Sequence, residues 1–477
     1  MRSLNLALLI SLLPPALAQA QADNSIAITR VTVVDVESGA LLHDRTVLVS
    51  GNRIASVSVG PAAVPAGARV VDGAGRFLIP GLWDMHVHAA WPGIDAIFFP
   101  TLLANGITGV REMFSSMAFV DSARARIARG EIAGPRMVAS GHILDGSPAI
   151  WPGSAAVHNG AEARKAVDSL KQAGADFIKV YSRLTPEEFF AVAEEAKRLG
   201  IPFAGHVPQL LSASAASGAG LRSIEHLTNV PTGCSSREDE ILATLAAAHS
   251  GKGWDSVGVV SRGQAALVLA SYDPARCRAL ARTFIANGTW MVPTIAVLHG
   301  VAFLDDTTLA RDTRLRYVPE WFRSGWNPAS DFRFKMLTPE DWKRRKDGYR
   351  RQLEIVALLH REGVSFLAGT DLSNPYVLPG FSLHDELAAF VKAGFTPLEA
   401  LQTATLLPAR YLNAQDSLGT VAAGKRADLL LLDANPLADI GNTVRIRAVV
   451  ANGRFYDRDA LDKLLADAVE RGRKPPG

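Results

Sequence analysis

The 477-residue sequence predicts an α/β protein, a (β/α)8 TIM barrel with a small composite β-sandwich domain formed from both termini. Strand-like and helix-like patterns alternate through the middle of the chain, over about residues 80–412. Both ends are instead rich in short β runs separated by turn residues. In addition, histidine, lysine and aspartate residues recur at the ends of the predicted middle strands, which form the catalytic rim of such a barrel.

Eight candidate strands in the middle of the chain support the barrel prediction. They are residues 78–88, 107–111, 136–140, 177–181, 202–206, 223–226, 290–294 and 365–371. Helix-patterned runs lie between most of them, and Thr185-Pro-Glu-Glu188 is a typical helix start, with a capping hydroxyl before proline and acidic residues. The loops that follow the strands are therefore expected to surround an active site.

The two ends of the chain are predicted to build one β domain together. Its first part is residues 23–79, and its second part is residues 413–460, where Asn452-Gly453 is a hairpin-turn signal. Residues 461–477 are left as a C-terminal tail.

A long connection at about residues 295–341 interrupts the alternation after the seventh predicted strand. It is rich in aromatic side chains, namely Trp321, Phe322, Trp326, Phe332 and Phe334. Long loops in compact domains are usually functional. We expect a lid that lines a substrate pocket, with a dimer contact or a surface elaboration as the alternatives.

Residues 1–22 have the pattern of a secretory signal peptide. Arg2 precedes an apolar run interrupted by Pro14 and Pro15, and small residues around Ala18 and Ala22 suit cleavage. The run is shorter than the roughly 20 residues that span a bilayer, so a stable membrane anchor is the weaker interpretation. We expect a periplasmic or secreted protein.

Composition narrows the range of partners. The net charge of +3 gives no reason to expect binding to nucleic acid or to an anionic membrane surface. A homo-oligomer remains open. An oxidising compartment would permit a disulfide between Cys234 and Cys277, but two separate buried thiols are the alternative.

Metal-ligand residues cluster at the predicted strand ends. His86 and His88 end the first strand and share one face, because residues two apart in a strand point the same way. Two imidazoles so placed can bind one metal ion. His206 and His226 end the fifth and sixth strands, and Asp371 ends the eighth. Alone, each of these three would be ordinary, as a hydrogen-bonded core histidine or a helix cap.

Lys179 is the unusual member of the set, because lysine is rarely buried without a partner. Burial and nearby cations disfavour its charged form. A neutral amine can react with carbon dioxide to give a carbamate, whose two oxygens can bridge two cations. The alternative is an ion pair of Lys179 with Glu112 or Asp176.

With these residues in place, the sequence resembles the metal-dependent amidohydrolase superfamily, in particular the imidazolonepropionase-like amidohydrolases that include Xaa-Pro and Xaa-Arg dipeptidases. The resemblance covers nearly all of the chain after residue 22. Its motifs are GLWDMHVH at 81–88, NGITGVRE at 105–112, Lys179 with Tyr181, GH at 205–206, EH at 225–226, AGTD at 368–371, SLHDE at 382–386, LGTVAAGKRAD at 418–428 and DANP at 433–436.

The resemblance implies two divalent metal ions, with zinc favoured over manganese, cobalt or nickel by the ligand types. The implied ligands are His86, His88, Lys179, His206, His226 and Asp371. Lys179, carboxylated on its amine, would bridge the ions together with a hydroxide. Asp371 would accept the proton of that hydroxide and donate it to the leaving amine.

Two further residues are candidates for substrate contact. Tyr181 shares a face with Lys179 and could hydrogen-bond an oxyanion or a substrate carboxylate, with barrel packing as the alternative. His142 follows the third strand, where dipeptidases of the superfamily often have a Gly-Gly-His-Gly-like run. This chain has Gly-His-Ile-Leu at 141–144.

We therefore expect an exported dinuclear amidohydrolase that cleaves an amide or peptide bond in a dipeptide or an N-acyl amino acid-like substrate. A second interpretation keeps the metal site but attacks a lactone, an ester or a cyclic amide. A third is a metal-bound barrel that binds without turnover, although that would require a missing ligand, and none is missing here.

Overall fold

A computed structural model describes residues 25–475 of the chain. The predicted signal peptide at 1–22 lies outside these residues. Seventeen strands occur in the described part: β1 Ser25–Val34, β2 Leu41–Ser50, β3 Arg53–Val59, β4 Arg69–Asp72, β5 Phe77–Pro80, β6 Leu82–Val87, β7 Ile107–Glu112, β8 Arg136–Ala139, β9 Leu144–Gly146, β10 Ala155–Val157, β11 Ile178–Val180, β12 Phe203–Gly205, β13 Ser223–Glu225, β14 Trp290–Val292, β15 Leu429–Leu432, β16 Ile446–Ala451 and β17 Arg454–Asp457.

The helices of residues 25–475 follow most of the middle strands. They are α1 Asp95–Ala104, α2 Met117–Arg129, α3 Gly160–Gln172, α4 Pro186–Leu199, α5 Ala213–Gly218, α6 Val230–Gly233, α7 Glu238–Ala270, α8 Pro274–Asn287, α9 Ile295–Ala302, α10 Glu320–Arg323, α11 Pro339–Arg361, α12 Phe381–Lys392, α13 Pro397–Thr403, α14 Leu406–Tyr411 and α15 Arg458–Gly472. Thr185 caps α4 as expected, with a capping box to Glu188. None of these helices is long and apolar enough to cross a bilayer.

Strands from both ends of the chain pair in one eight-stranded sheet, in the order β17-β16-β15-β5-β1-β2-β3, with β4 also paired to β1. The junction between the two ends is β5, which runs parallel to β1 and antiparallel to β15. The β domain is therefore composite, as the sequence predicts.

The strands of the expected β-sandwich are paired in one continuous sheet whose edge folds back. Ile54 of β3 donates its N–H to the Lys425 carbonyl and accepts one from Gly424, both at 2.8 Å, just before β15 begins. The residues of β1, β2, β3, β5, β15 and β16 that point inward form one apolar cluster. The folded sheet thereby buries this cluster.

The first predicted strand is split at Gly81 into β5, in the β domain, and β6, in the middle of the chain. A side chain at Gly81 would collide with Thr108, because its Cβ would lie 2.0 Å from the Thr108 hydroxyl oxygen. The Gly81 N–H donates instead to the Asp428 carbonyl at 2.8 Å. One glycine thus joins the two sheets.

The middle of the chain contains two parallel sheets, β6-β7-β8 and β10-β9-β11-β12-β13-β14. Residues 365–371, predicted as the eighth strand, are not a regular strand but bond to both sheets. Met291 of β14 donates to the Ser365 carbonyl, and Met85 of β6 donates to the Ala368 carbonyl, each at 2.9 Å. At the other edge, Asp176 donates to the Ala139 carbonyl of β8 at 2.9 Å.

Three further segments differ from the sequence prediction or complete it. The expected C-terminal tail forms α15, which packs on α1 and buries Leu461 and Ala468. The insertion starts with α9, continues through short 3-10 turns and α10, and ends at α11. Cys234 and Cys277 are joined by a disulfide, which answers the question the sequence left open.

Candidate active site

The six residues predicted as metal ligands surround one cavity of about 550 Å³ at the carboxyl ends of the parallel strands. His86 and His88 lie at the end of β6, His206 and His226 directly follow β12 and β13, and Lys179 lies within β11. Asp371 is placed by the segment that bonds to β6, since its N–H donates to the His86 carbonyl at 2.8 Å.

Asp371 is the centre of the group. One of its carboxylate oxygens lies 3.0 Å from His88 Nε2 and 3.4 Å from His86 Nε2. The other oxygen lies 3.8 Å from His226 Nε2. Donor atoms of His86, His226 and Asp371 all lie within 4.8 Å of one another, so these three could hold one metal ion. The ring centroids of His206 and His226 are 4.9 Å apart.

Lys179 Nζ and His206 Nε2 are buried without a hydrogen-bond partner anywhere in residues 25–475. The alternative ion pairs of Lys179 are not formed. Glu112 instead accepts the backbone N–H groups of Ala89 and Ala90, at 2.7 and 2.9 Å. Asp176 pairs with Arg124. Buried polar groups normally have partners, so the lysine amine and the imidazole nitrogen indicate a missing ligand.

Burial sets the charge state of these side chains. It holds the pKa values of His86 and His206 well below the ordinary value, assisted by the nearby charge of Lys179. Burial likewise lowers the pKa of Lys179 to about 8. Burial alone would raise the pKa of Asp371, but His226 and His88 hold it at about 2. The site therefore combines the neutral imidazoles of His86 and His206, an amine that loses its proton more readily than usual and an ionised carboxylate, which suits metal ligation.

A hydrogen bond to the other ring nitrogen orients each of three imidazoles. His86 Nδ1 lies 2.7 Å from Glu225, which a buried Arg111 holds through two bonds of 2.8 and 2.9 Å. His206 Nδ1 lies 2.8 Å from the Ser182 hydroxyl. His226 Nδ1 lies 2.7 Å from the hydroxyl of Thr294, which is fully buried. Each arrangement leaves Nε2 for the cavity, as in metal sites whose outer partners fix the ligands.

The backbone is strained where it carries the functional side chains. His226, Asp371 and Thr294 have φ values of 57°, 61° and 49°, in the left-handed region that residues other than glycine rarely adopt. Asp84 anchors the Asp371 segment, accepting the hydroxyl of Thr370 at 2.6 Å. Such strain concentrates at functional sites.

The two predicted substrate contacts are placed differently. Tyr181 lines the cavity, its ring 4.0 Å from that of His206, and its hydroxyl accepts the Trp151 indole N–H at 2.8 Å. Burial raises the pKa of Tyr181 above its ordinary value. His142 is exposed and is not part of the cavity lining, although its ring is 6.4 Å from that of Phe114. The next residue, Ile143, lines the cavity instead.

The insertion forms the far wall of the cavity. Phe322, Trp326 and Phe332 line the cavity from this side. Trp91, Phe114 and Trp151, which come after β6, β7 and β9, line it from the other. The Phe332 and Trp151 rings are 5.7 Å apart. Arg333, paired with Asp331, donates to the Asn374 side chain at 3.0 Å and brings the insertion to the Asp371 segment.

The sequence alone did not predict a role for the residues that orient the imidazoles. Glu225 was visible as a carboxylate in a short apolar strand, and Arg111 as a cation in another. Both are fully buried, and charged residues in such strands are themselves a signal of a buried pair. Ser182 and Thr294 gave no comparable signal, because hydroxyl residues are common in loops.

Comparisons with known proteins identify the family and the fold of this chain. Residues 77–455 match the Amidohydrolase family. The structure is similar to the bottromycin amidohydrolase, with a TM-score of 0.71 and 25% identity, covering 97% of this chain and 96% of that one. It is also similar to a Xaa-Pro dipeptidase with bound methionine in its active site, with a TM-score of 0.65 and 22% identity, covering 91% and 100%.

A curated relative matches over a shorter stretch. The dihydroorotase of Pelobacter propionicus is 34% identical over 110 residues, which are 21% of this chain and 26% of that protein. The chain thus spans about a quarter of this relative's length.

Proposed function

This chain belongs to the amidohydrolase family, a family of hydrolases that act on carbon–nitrogen bonds, and we propose that it cleaves an amide or peptide bond with two divalent cations. One observation carries the proposal. An unpartnered lysine amine, four imidazoles and an ionised carboxylate meet at a single cavity.

The donor set fits two cations. His86, His88 and Asp371 would hold the more buried ion, and His206 and His226 the more exposed one. Lys179, carboxylated on Nζ, would contribute to both, and its lowered pKa favours the neutral amine that carboxylation requires. Imidazole nitrogens and carboxylate oxygens suit zinc best among the candidate ions.

When bound, the cations would supply a nucleophilic water of lowered pKa and a Lewis acid for the scissile carbonyl. Asp371 would accept the proton of the attacking water and return it to the leaving amine, because its carboxylate is ionised and central among the imidazoles. Tyr181 would orient the substrate from beside His206, its phenol kept protonated by burial.

The proposed substrate is a dipeptide or an N-acyl amino acid-like molecule with a bulky apolar group. The aromatic wall that joins the insertion to Trp91, Phe114 and Trp151 supports this class, since aromatic surfaces bind apolar groups. The names of the two structural neighbours, an amidohydrolase and a dipeptidase, agree with amide cleavage.

Two further proposals concern architecture and location. We propose that the two parallel sheets form a closed (β/α)8 barrel, supported by the bonds of residues 365–372 to both β14 and β6. We propose export to the periplasm or the medium with loss of residues 1–22, which the Cys234–Cys277 disulfide supports. The N-terminal residue of protein recovered from the periplasmic fraction tests the second.

The function is tested with zinc-loaded protein on a panel of dipeptides, N-acyl amino acids, cyclic amides, lactones and esters. We expect amide substrates to be cleaved and Asp371→Asn to lower kcat by about a thousandfold, because it removes the proton carrier. The matched control Asp385→Asn changes an exposed carboxylate that pairs with Arg314 and should keep full activity.

Each other outcome contradicts part of the proposal. If only lactones or esters were cleaved, the enzyme would act on carbon–oxygen bonds and not on amide bonds. A fully metal-loaded wild type that is inert on the whole panel would indicate binding without turnover.

A further inference from the structure

A second cleft, of about 440 Å³, lies behind the insertion. It is formed by the C-terminal half of α7, by α9 and by the first turns of α11. One wall is apolar and includes Ala265, Val268, Leu269, Leu298 and Val301. None of the six proposed metal ligands lines it, so it is separate from the catalytic cavity.

Four guanidinium groups line the cleft, those of Arg344, Arg345 and Arg351 on α11 and that of Arg262 on α7, the helix of the apolar wall. Arg344 is paired with Asp341 at 2.5 Å, and Arg351 is paired with Glu354. Arg262 and Arg345, in contrast, have no hydrogen bond and no ion pair within residues 25–475. Within the described part of the chain, the cleft therefore has two guanidinium groups without an ion pair beside an apolar surface, Arg345 on α11 and the exposed Arg262 on α7.

Arg345 is the more constrained of the two. It is half-buried, and its guanidinium lies 5.2 Å from the centre of the Phe334 ring. Burial and the charges of Arg333 and Arg262 lower its pKa, so an anion at this position would relieve an unfavourable cluster of like charges.

We infer that this cleft binds an amphiphilic carboxylate, with the carboxylate on Arg345 and Arg262 and the hydrocarbon chain on the apolar wall. A guanidinium group binds a carboxylate through paired N–H donors. A small inorganic anion would gain no affinity from the apolar wall, whereas an alkyl chain gains affinity with each methylene group that it buries there.

The cleft and the catalytic cavity share a wall. Phe334, which is 4% exposed, lies between the guanidinium of Arg333, at 4.9 Å, and that of Arg345. Arg333 lines the catalytic cavity. A ligand at Arg345 would therefore be separated from that cavity by the side chains of Phe334 and Arg333. For this reason Arg262, whose guanidinium lies over no aromatic ring within residues 25–475, provides an independent variant.

The test is a calorimetric titration of the zinc-loaded full chain with decanoate, with decanol and inorganic phosphate as comparison probes. We expect decanoate to bind, and both Arg345→Gln and Arg262→Gln to weaken it by about tenfold, the effect of losing one charge-assisted hydrogen bond. The control Arg350→Gln removes an exposed arginine of the same helix that pairs with Asp347, and should leave binding unchanged.

Localisation separates this cleft from the metal site, which could also bind a carboxylate. Crystals soaked with a bromine-tagged decanoate should show anomalous signal beside Val268 and Leu269. Signal only in the catalytic cavity, equal affinity for decanol, binding of phosphate without decanoate, or unchanged affinity in both arginine variants would each overturn the inference.

Discussion

The two walls of the catalytic cavity are built in different ways. On the strand-end wall, His86, His206 and His226 are each held by a hydrogen bond at Nδ1 from the surrounding structure. On the insertion wall, Phe322 and Trp326 come from short helical turns, and Phe332 is 58% exposed. The difference shows that the chemical groups are fixed in place, whereas the surface that would select the substrate is supported mainly by ring contacts.

The largest effect is expected on the fixed wall, at Lys179. Lys179→Met should lower hydrolysis by about a thousandfold, because the second cation would lose its bridging ligand and several kcal/mol of charge stabilisation. Metal-free Lys179→Met should melt at the same temperature as wild type or higher, since methionine replaces an unpartnered buried amine.

Metal content, turnover and melting temperature are measured for the Lys179→Met variant together. Lys197→Met, on the exposed face of α4, is the control and should match wild type in all three. An active Lys179→Met enzyme with two bound metal ions would show that Lys179 is not a metal ligand.

A smaller loss is expected one layer behind the metal ligands. Glu225→Gln keeps an acceptor for Arg111 but removes the charge that orients His86, so metal affinity should fall by about tenfold to a hundredfold. Competition with a chelator measures this, with Glu240→Gln, an exposed partner of Arg237, as the control. Unchanged metal affinity would mean that the charge of Glu225 is not needed to orient the His86 ring.

On the insertion wall the effect should appear in KM. Trp326→Ala removes an indole that lines the cavity beside Tyr376, so KM for substrates with bulky apolar groups should rise about fivefold at unchanged kcat. Met336→Ala changes a 78% exposed side chain of the same segment and serves as the control. An equal fall in kcat would show that this wall acts on the transition state as well.

The smallest effect on turnover is expected at the start of the insertion, where α12 holds α9. Buried Glu386 accepts the N–H groups of Ile295 and Ala296 at the start of α9, and burial raises its pKa from 4.5 to about 8. Between these values the folded state binds more protons than the unfolded state, so the stabilisation due to Glu386 falls as pH rises.

The stability of Glu386→Gln should consequently be compared with that of wild type at pH 5 and pH 8. Glutamine does not titrate, so the melting temperature of wild type relative to the variant should decrease between the two pH values. A difference that is independent of pH would mean that Glu386 keeps the same charge throughout, and that the raised pKa is wrong.

The same contrast separates what the sequence predicted from what it did not. The positions of His86, His88, Lys179, His206 and His226 follow from strand periodicity and strand ends, which are local properties. Their outer partners depend on distant segments, as with Thr294, which lies 68 residues from His226. Spacing contains no information about such pairs.

The errors in the fold have a similar cause. The break at Gly81, the edge of β3 folding back to residues 424–427 and the α15 helix on α1 all depend on contacts between remote parts of the chain. For the same reason, His142 looked like a substrate contact in the sequence, while the neighbouring Ile143 lines the cavity.

The most direct test of the account is an anomalous-diffraction crystal structure of the zinc-loaded enzyme. We expect two zinc peaks between the imidazoles, with a carboxyl group on Lys179 Nζ in contact with both. A bare Lys179 amine, or zinc bound anywhere other than among these side chains, would contradict the proposed dinuclear hydrolase.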